Sequence, residues 1–105
     1  MSTWVKLCKV DVLKNGEIHT FDTEKRKRIL LANMGDRLYA ADGICTHHYA
    51  ELSEGFLNVE EKTVTCPLHL SVFSLIDGKP QNPPAELPLK IYQTKVENGY
   101  VYALI

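Results

Sequence analysis

The sequence predicts an all-β protein, an antiparallel β-sandwich or small barrel. Short runs of apolar and β-branched residues recur along most of its 105 residues. Turn signals separate these runs at intervals of roughly 8–12 residues. No long segment keeps the 3.6-residue apolar period of an amphipathic helix. The length allows one domain, which we expect to span residues 1–105.

The strands are predicted from these apolar runs, taken in chain order. Val5, Leu7 and Val10 mark the first strand, and a short mixed strand follows at Glu17 to Phe21. The later strands are expected at Arg28 to Asn33, Arg37 to Ala41, Lys62 to Thr65, Val72 to Ile76, Lys90 to Val96 and Tyr100 to Ile105.

Three turns are predicted to join neighbouring strands as hairpins. They lie at Met34-Gly35-Asp36, at Asp77-Gly78 before Pro80, and at Glu97-Asn98-Gly99. Asn-Gly and Asp-Gly are strong hairpin signals because both residues accept the positive φ angles of a tight turn. Between Glu51 and Val59 we expect a short turn rather than a helix.

Composition and charge exclude several classes of function. Apolar residues make up 45% of the chain, as in an ordinary globular domain. Twelve basic and thirteen acidic residues give a net charge of −1, which argues against a nucleic-acid binder. No apolar run is long enough to span a membrane, and Met1 to Lys6 lack the apolar stretch of a signal peptide. We therefore expect a cytoplasmic protein, too small to enclose a large substrate cavity.

The regular alternation weakens between about residues 43 and 73, which predicts a subdomain inserted into the β scaffold. Two pairs of metal-binding residue types lie there, Cys45-Thr46-His47 and Cys66-Pro67-Leu68-His69. Each loop can direct one sulfur and one nitrogen at a common centre. Three cysteines without a secretion signal favour metal binding over a disulfide.

Two kinds of metal centre fit two cysteines and two histidines. A tetrahedral zinc ion accepts this set, so a structural zinc-binding module is one interpretation. Zinc fingers usually pair Cys with Cys and His with His along the chain, whereas here each loop supplies one of each. That mixed order suits a 2Fe–2S cluster with both cysteines on one iron and both histidines on the other.

The two pairs together resemble the signature of Rieske-type 2Fe–2S proteins. The likeness extends to Asp42-Gly43-Ile44 before the first pair, to Leu52 through Leu57 between the pairs, and to the tail from Pro83 to Val101. It covers essentially the whole chain. The resemblance implies a Rieske-like antiparallel β-sandwich or barrel with a small cluster-binding subdomain.

The resemblance also implies the ligands of one 2Fe–2S cluster. Cys45 and Cys66 would bind one iron, and His47 and His69 would bind the other. Two ferric ions, two sulfides and two thiolates sum to zero charge, so the oxidised centre would be neutral. A neutral centre accepts an electron readily, which places Rieske potentials at about −150 to +300 mV.

Departures from the family pattern predict the type of Rieske protein. Ala50 and Leu68 stand where respiratory members carry a disulfide, so the chain is similar to the soluble ferredoxins of ring-hydroxylating oxygenases. Leu70 stands where the family often has Gly. Ser71 stands where a hydroxyl can donate to a cluster sulfide, while Phe73 replaces the Tyr of high-potential members. These residues predict a low-to-intermediate potential within the Rieske range.

The resemblance implies a soluble one-electron carrier rather than an enzyme. A flavin- or NAD(P)H-dependent reductase would donate the electron, and an oxygenase or similar acceptor would receive it. We expect a monomer that binds neither nucleic acid nor membrane, and a redox subunit or sensor of a larger enzyme is an alternative. The docking rim around the histidines is expected to include Tyr49, Leu68, Leu70 and Pro83, of which Leu68 and Pro83 would also adjoin the cluster with Ser71.

Two further features are expected to have structural roles. Cys8 is predicted to be a small buried thiol in the first strand. The run from Lys25 to Arg28 is predicted to be a solvated turn or edge strand rather than a docking patch. Tyr92 is interpreted as a packing residue.

Overall fold

The computed structural model describes residues 3–23, 28–35, 37–44, 51–67, 70–81 and 87–105. Within these residues the chain forms strands and one short 3-10 helix at Leu52–Glu54. The strands are β1 Trp4–Lys9, β2 Ile18–Asp22, β3 Arg28–Asn33, β4 Leu38–Asp42, β5 Phe56–Asn58, β6 Thr63–Thr65, β7 Val72–Ser74, β8 Ile91–Tyr92, β9 Thr94–Glu97 and β10 Tyr100–Leu104.

The strands form three antiparallel sheets, which confirms the predicted fold class. An outer sheet has the order β1-β10-β9, and a central sheet has the order β2-β3-β4-β8. The third sheet, β5-β6-β7, lies within the predicted inserted region. The described residues contain no helix with the length and apolarity needed to cross a bilayer.

Strand β3 separates two hydrophobic cores. Its residues Ile29 to Ala32 are all fully buried. Because successive side chains of a strand point to opposite faces, a strand covered on both faces is continuously apolar rather than alternating. One core contains Leu30, Ala32, Met34, Ala41, Leu52, Val64, Cys66, Phe73, Leu75 and Leu89. The other contains Leu13, Ile29, Leu31, Ala40, Tyr92, Val101, Ala103 and Ile105.

The three predicted hairpins are present. Asn98 and Gly99 adopt positive φ angles of 54° and 81°, as a type I′ turn between β9 and β10 requires. Met34 N donates to Arg37 O between β3 and β4, and Ser74 N donates to Lys79 O beyond β7. Phe73 also forms an isolated bridge with Pro80.

One strand prediction was wrong, and one strand was missed. The run Lys90 to Val96 is two strands, since β8 pairs with β4 in the central sheet and β9 pairs with β10 in the outer sheet. Side-chain alternation cannot reveal which neighbour a strand pairs with, so the periodicity hid this change of sheet. The short turn expected after Glu51 is present at Leu52–Glu54, but strand β5 at Phe56–Asn58 was not predicted.

Candidate metal centre

The structure describes one of the four predicted ligands. Cys66 directly follows β6 and is fully buried in the core beneath the central sheet. The predicted ligands Cys45, His47 and His69 lie outside the described residues. The same is true of the residues expected next to them, namely Tyr49, Leu68 and Pro83.

Backbone hydrogen bonds close the loop that begins at Cys66. Cys66 N donates to Ser71 O over 2.8 Å, and Leu70 N donates to Cys66 O over 3.0 Å. Both ends of the loop are therefore held together just where β6 ends and β7 begins. The predicted ligand Cys66 therefore lies where the two described ends of this loop meet.

Leu70 adopts a left-handed backbone conformation with φ of 57°. This region normally favours glycine, and an L-residue with a Cβ pays roughly 1–2 kcal/mol to occupy it. The backbone at this position thus keeps the conformation that glycine would adopt. The Leu70 side chain is 58% exposed beside the loop.

The Ser71 hydroxyl is buried without a hydrogen-bond partner among the described residues. Its side chain is fully inaccessible, and its Oγ is a buried polar atom that contacts no donor or acceptor there. Buried polar groups in native proteins are nearly always satisfied, and an orphan of this kind indicates an acceptor such as a bound ion or cluster. A hydroxyl donor beside a buried thiol suits a sulfide or thiolate acceptor. The described residues therefore fit a 2Fe–2S group.

The ends of the first predicted cluster loop lie side by side. Ile44 and Glu51, which flank it, form an isolated antiparallel bridge. Leu52 N donates to Gly43 O over 2.9 Å. The loop therefore leaves and re-enters the scaffold at one place, between strand β4 and the 3-10 helix.

An ion-pair network attaches the closing end of this loop to the central sheet. Arg28 Nη1 lies 2.5 Å from Glu51 Oε1, and Arg28 Nε lies 3.2 Å from Asp22 Oδ1. Thr20 Oγ1 donates to Glu51 Oε2 over 3.5 Å. The Arg28 carbonyl oxygen accepts from Gly43 N over 2.9 Å. The sequence did not predict this network, because its residues are far apart in the chain.

A second contact holds the opening end of the same loop. Tyr92 Oη donates to Asp42 Oδ1 over 2.6 Å, and Asp42 N donates to Lys90 O over 3.0 Å. Burial raises the pKa of the Tyr92 hydroxyl, and the hydrogen bond to Asp42 with that carboxylate's charge raises it further. The hydroxyl therefore stays protonated as a donor. Tyr92 packs in the core as predicted, but it also has this polar role that the sequence did not indicate.

Gly55 allows the segment between the two pairs to approach β6 closely. A Cβ on Gly55 would lie 1.8 Å from the Thr65 carbonyl oxygen, far inside contact distance. Thr65 immediately precedes Cys66, so this close approach supports the backbone on which the buried cysteine is placed.

The described cysteines form no disulfide with each other. Cys8 lies half-buried in β1 and packs at the margin of the second core. Burial raises the pKa of the Cys8 thiol, and the Asp11 carboxylate raises it further, which keeps the thiol protonated. Cys8 therefore lies in the first strand as predicted, but it is only half-buried rather than buried.

Comparison with known proteins identifies the family. The model of the Rieske 2Fe-2S domain matches residues 3–93, which is most of the chain. The chain belongs to this family. The resemblance inferred from the Cys and His pairs is thus confirmed, and membership implies that the protein carries a 2Fe–2S cluster.

Individual relatives of this Rieske protein are ferredoxins. The 3-phenylpropionate/cinnamic acid dioxygenase ferredoxin subunit of Escherichia coli strain K12 is 39% identical over 95 residues, which cover 90% of this chain and 87% of the relative. The ferredoxin of carbazole 1,9a-dioxygenase from Nocardioides aromaticivorans IC177 has a TM-score of 0.90 and 30% identity, and the match covers 96% of both chains. A ferredoxin solved in complex with the oxygenase of carbazole 1,9a-dioxygenase has a TM-score of 0.88 and 31% identity, with coverage of 96% and 92%.

These relatives confirm the predicted class of function. The chain is a Rieske ferredoxin, an electron carrier that does not itself convert a substrate. The interpretation as a structural zinc module is not supported by the family.

Proposed function

We propose that Cys45 and Cys66 bind one iron of a single 2Fe–2S cluster and that His47 and His69 bind the other. In this proposal residues 1–105 form one Rieske domain, with a cluster-binding subdomain at about residues 43–73. The cluster accepts and releases one electron at a time. The buried environment of Cys66 supports the assignment, since it keeps water away from the thiolate side of the centre.

The observation that carries this proposal is the Ser71 hydroxyl, buried without a partner at the end of the closed loop that starts at Cys66. It belongs to a chain that matches the Rieske model. Ser71 donates to the cluster side of the loop, and Leu68 and Pro83 adjoin the same region in our proposal. Phe73 is fully buried and offers no second hydroxyl, which keeps the potential below that of high-potential members.

We further propose that the protein takes electrons from a flavin- or NAD(P)H-dependent reductase and passes them to an oxygenase of aromatic compounds. The names of the relatives support this, because they are ferredoxins of dioxygenase systems and one was solved bound to its oxygenase. The protein acts in the cytoplasm as a monomer that docks and releases each partner.

The test of the cluster is iron and acid-labile sulfide analysis combined with EPR of the reduced protein. Two irons, two sulfides and a Rieske-type signal are expected. Cys66→Ser should abolish the signal, whereas Cys8→Ser, the same change in a remote strand, should leave it intact. Colourless protein with one zinc would overturn the proposal.

The test of the carrier role is a reconstituted assay with the reductase and oxygenase of an aromatic dioxygenase system. The purified protein should support NAD(P)H-dependent turnover that depends on its concentration and saturates. A protein that is reduced but remains in a stoichiometric complex with one enzyme would instead indicate a permanent redox subunit.

A further inference from the structure

We infer that Arg28 and Glu51 are positioning residues that clamp the two described ends of the first cluster loop, Gly43-Ile44 and Glu51-Leu52, onto strand β3, and that this clamp controls how long the cluster is retained. The inference rests on the proposed function, since it assumes that residues 45–50 include two of the ligands. Neither residue touches the cluster in this role.

Arg28 holds both ends of the loop with different atoms. Its carbonyl oxygen accepts from Gly43 N over 2.9 Å, on the side where the chain enters the loop. Its guanidinium binds the Glu51 carboxylate over 2.5 Å, on the side where the chain returns. The Ile44–Glu51 bridge joins the two sides directly. One residue of β3 therefore fixes the entry and the exit together.

Contacts from strand β2 hold Arg28, Gly43 and Glu51 in this arrangement. Thr20 Oγ1, from the neighbouring strand β2, reaches the second oxygen of the Glu51 carboxylate. A Cβ on Gly43 would lie 3.1 Å from Thr20 Cγ2 and 3.3 Å from Arg28 O, so the entry is tightly packed against the same two strands. Asp22 engages Arg28 Nε and orients the guanidinium.

The partial exposure of the ion pair predicts an effect on local anchoring of the loop ends rather than on the global free energy of unfolding. The Arg28 side chain is 49% exposed and that of Glu51 is 24% exposed. Ion pairs with this exposure contribute little to overall unfolding. Breaking a few local contacts, however, costs much less free energy than global unfolding, so the same ion pair can dominate how long the two ends stay anchored to β3. The clamp is therefore expected to affect cluster release more than the melting temperature.

The primary experiment measures iron release from the holoprotein to a chelator at low ionic strength. Glu51→Gln and Arg28→Gln should each release iron about tenfold faster than the wild type, which corresponds to about 1.36 kcal/mol in the barrier to iron release. The double variant should release iron more slowly than the product of the two single effects predicts, because both changes remove the shared Arg28–Glu51 contact. Added salt should shrink the difference, since it screens the partly exposed pair.

Glu97→Gln is the matched control. It makes the same substitution in the Lys95–Glu97 ion pair, which joins residues of strand β9 in the outer sheet over 3.1 Å. This variant should release iron at the wild-type rate. Arg28→Lys is a milder variant that keeps the charge but loses the fork that contacts two carboxylates, so an intermediate rate is expected.

A second measurement does not depend on the cluster. Hydrogen exchange followed by mass spectrometry reports the amides of Gly43 and Leu52, whose acceptors are Arg28 O and Gly43 O. Both amides should exchange faster in Glu51→Gln, while the Ile105 amide, bonded to Thr3 O in the outer sheet, should not change.

The results distinguish failure of the Arg28–Glu51 clamp from failure of the proposed cluster. Equal iron release and equal exchange in Glu51→Gln and Glu97→Gln would overturn the clamp while leaving the cluster assignment intact. Parallel losses in melting temperature and iron retention would also overturn it, since they would show a purely global role. Absence of iron in the wild type would refute the proposed function, and the exchange measurement would still decide whether the clamp exists.

Discussion

The Ser71 side chain lacks the hydrogen bond that a buried hydroxyl normally makes. Its Oγ is fully buried, and no group among the described residues forms a hydrogen bond with it. Leaving such a group unpaired costs about 1–3 kcal/mol, so a nearby acceptor is expected. The neighbouring Leu70 adopts a left-handed backbone, and the Ser71 carbonyl oxygen accepts from Cys66 N at the same loop. In the proposed function, a sulfur of the cluster would supply this acceptor.

We expect Ser71→Ala to lower the reduction potential. A donor to the cluster side stabilises the more negative reduced state, so its loss disfavours reduction. A difference of about 1.4 kcal/mol in that hydrogen bond corresponds to about 59 mV for a one-electron couple. Spectroelectrochemical titration measures the shift.

Ser74→Ala provides the control for this prediction. Ser74 Oγ accepts from Ile76 N at the other end of β7, away from the Cys66 loop. Its removal should leave the potential unchanged. An unchanged potential in Ser71→Ala as well would show that Ser71 points away from the cluster.

At the scale of elements, the cluster loops depend on contacts between strands rather than on their own structure. The first loop is tied to β3 through Arg28 and to β8 through the hydrogen bond of Tyr92 with Asp42. The second begins on β6, against which Gly55 packs. Rigid strands therefore define where each loop starts and ends, which is how small redox proteins position ligands that lie on loops.

Gly55→Ala should destabilise the β5-β6-β7 sheet. Its Cβ would overlap the Thr65 carbonyl oxygen, and backbone on both sides leaves little room to adjust. Overpacking of this kind costs typically about 1–3 kcal/mol. Chemical denaturation should report the loss, and iron release should accelerate.

Gly16→Ala distinguishes this steric effect from a general cost of adding a methyl group. Gly16 has a positive φ of 84°, but nothing lies within 4 Å of an added Cβ. The variant should lose some stability without faster iron release. If both variants lost iron equally, close packing at Gly55 would not be the cause.

Tyr92→Phe should remove a pH-dependent part of the stability. The pKa of Tyr92 is raised in the folded protein by burial and by Asp42. A raised folded pKa means that this contribution is complete below the unfolded value of about 10 and declines as the pH rises above it. At neutral pH the variant should lose about 1.5–3 kcal/mol, as for a hydrogen bond to a charged group.

Denaturation between neutral pH and pH 11 tests this expectation. The wild type should lose more stability over the alkaline range than Tyr92→Phe. Identical alkaline slopes for the wild type and Tyr92→Phe would contradict the role of the Asp42 contact.

At the scale of the whole molecule, two hydrophobic cores stabilise different sheets. Strand β3 carries a core on each face, so the outer sheet and the β5-β6-β7 sheet are stabilised by different side chains. Exposed apolar side chains lie on or next to the β5-β6-β7 sheet, notably Leu70 and the 66%-exposed Phe56. An electron carrier must bring its centre close to a partner, and an apolar rim there suits brief, reversible docking.

We expect Leu70→Glu to slow electron transfer while leaving the cluster spectrum intact. A charge at an exposed apolar rim costs desolvation on docking, and one such change typically lowers the affinity by about tenfold, or ~1.4 kcal/mol. Stopped-flow reduction by the reductase measures the rate. Ile76→Glu, at an equally exposed position beyond the far end of β7, should have no effect. A lost spectrum in Leu70→Glu would show that Leu70 is structural.

The sequence by itself determined the β architecture and the family. The hairpin tips, the continuous apolar run of β3 and the two Cys–His pairs depend on residue type and spacing, which are local properties. The predicted ligands Cys45, His47 and His69 remain predictions, because they fall outside the described residues.

Only the tertiary structure decided which elements pair and which side chains meet. The split of Lys90 to Val96 between two sheets depends on the neighbouring strands rather than on its own alternation. The Arg28–Glu51 pair joins residues 23 positions apart, and the Tyr92–Asp42 hydrogen bond joins residues 50 positions apart. Such contacts exist because folding brings distant segments together, and no local pattern encodes that proximity.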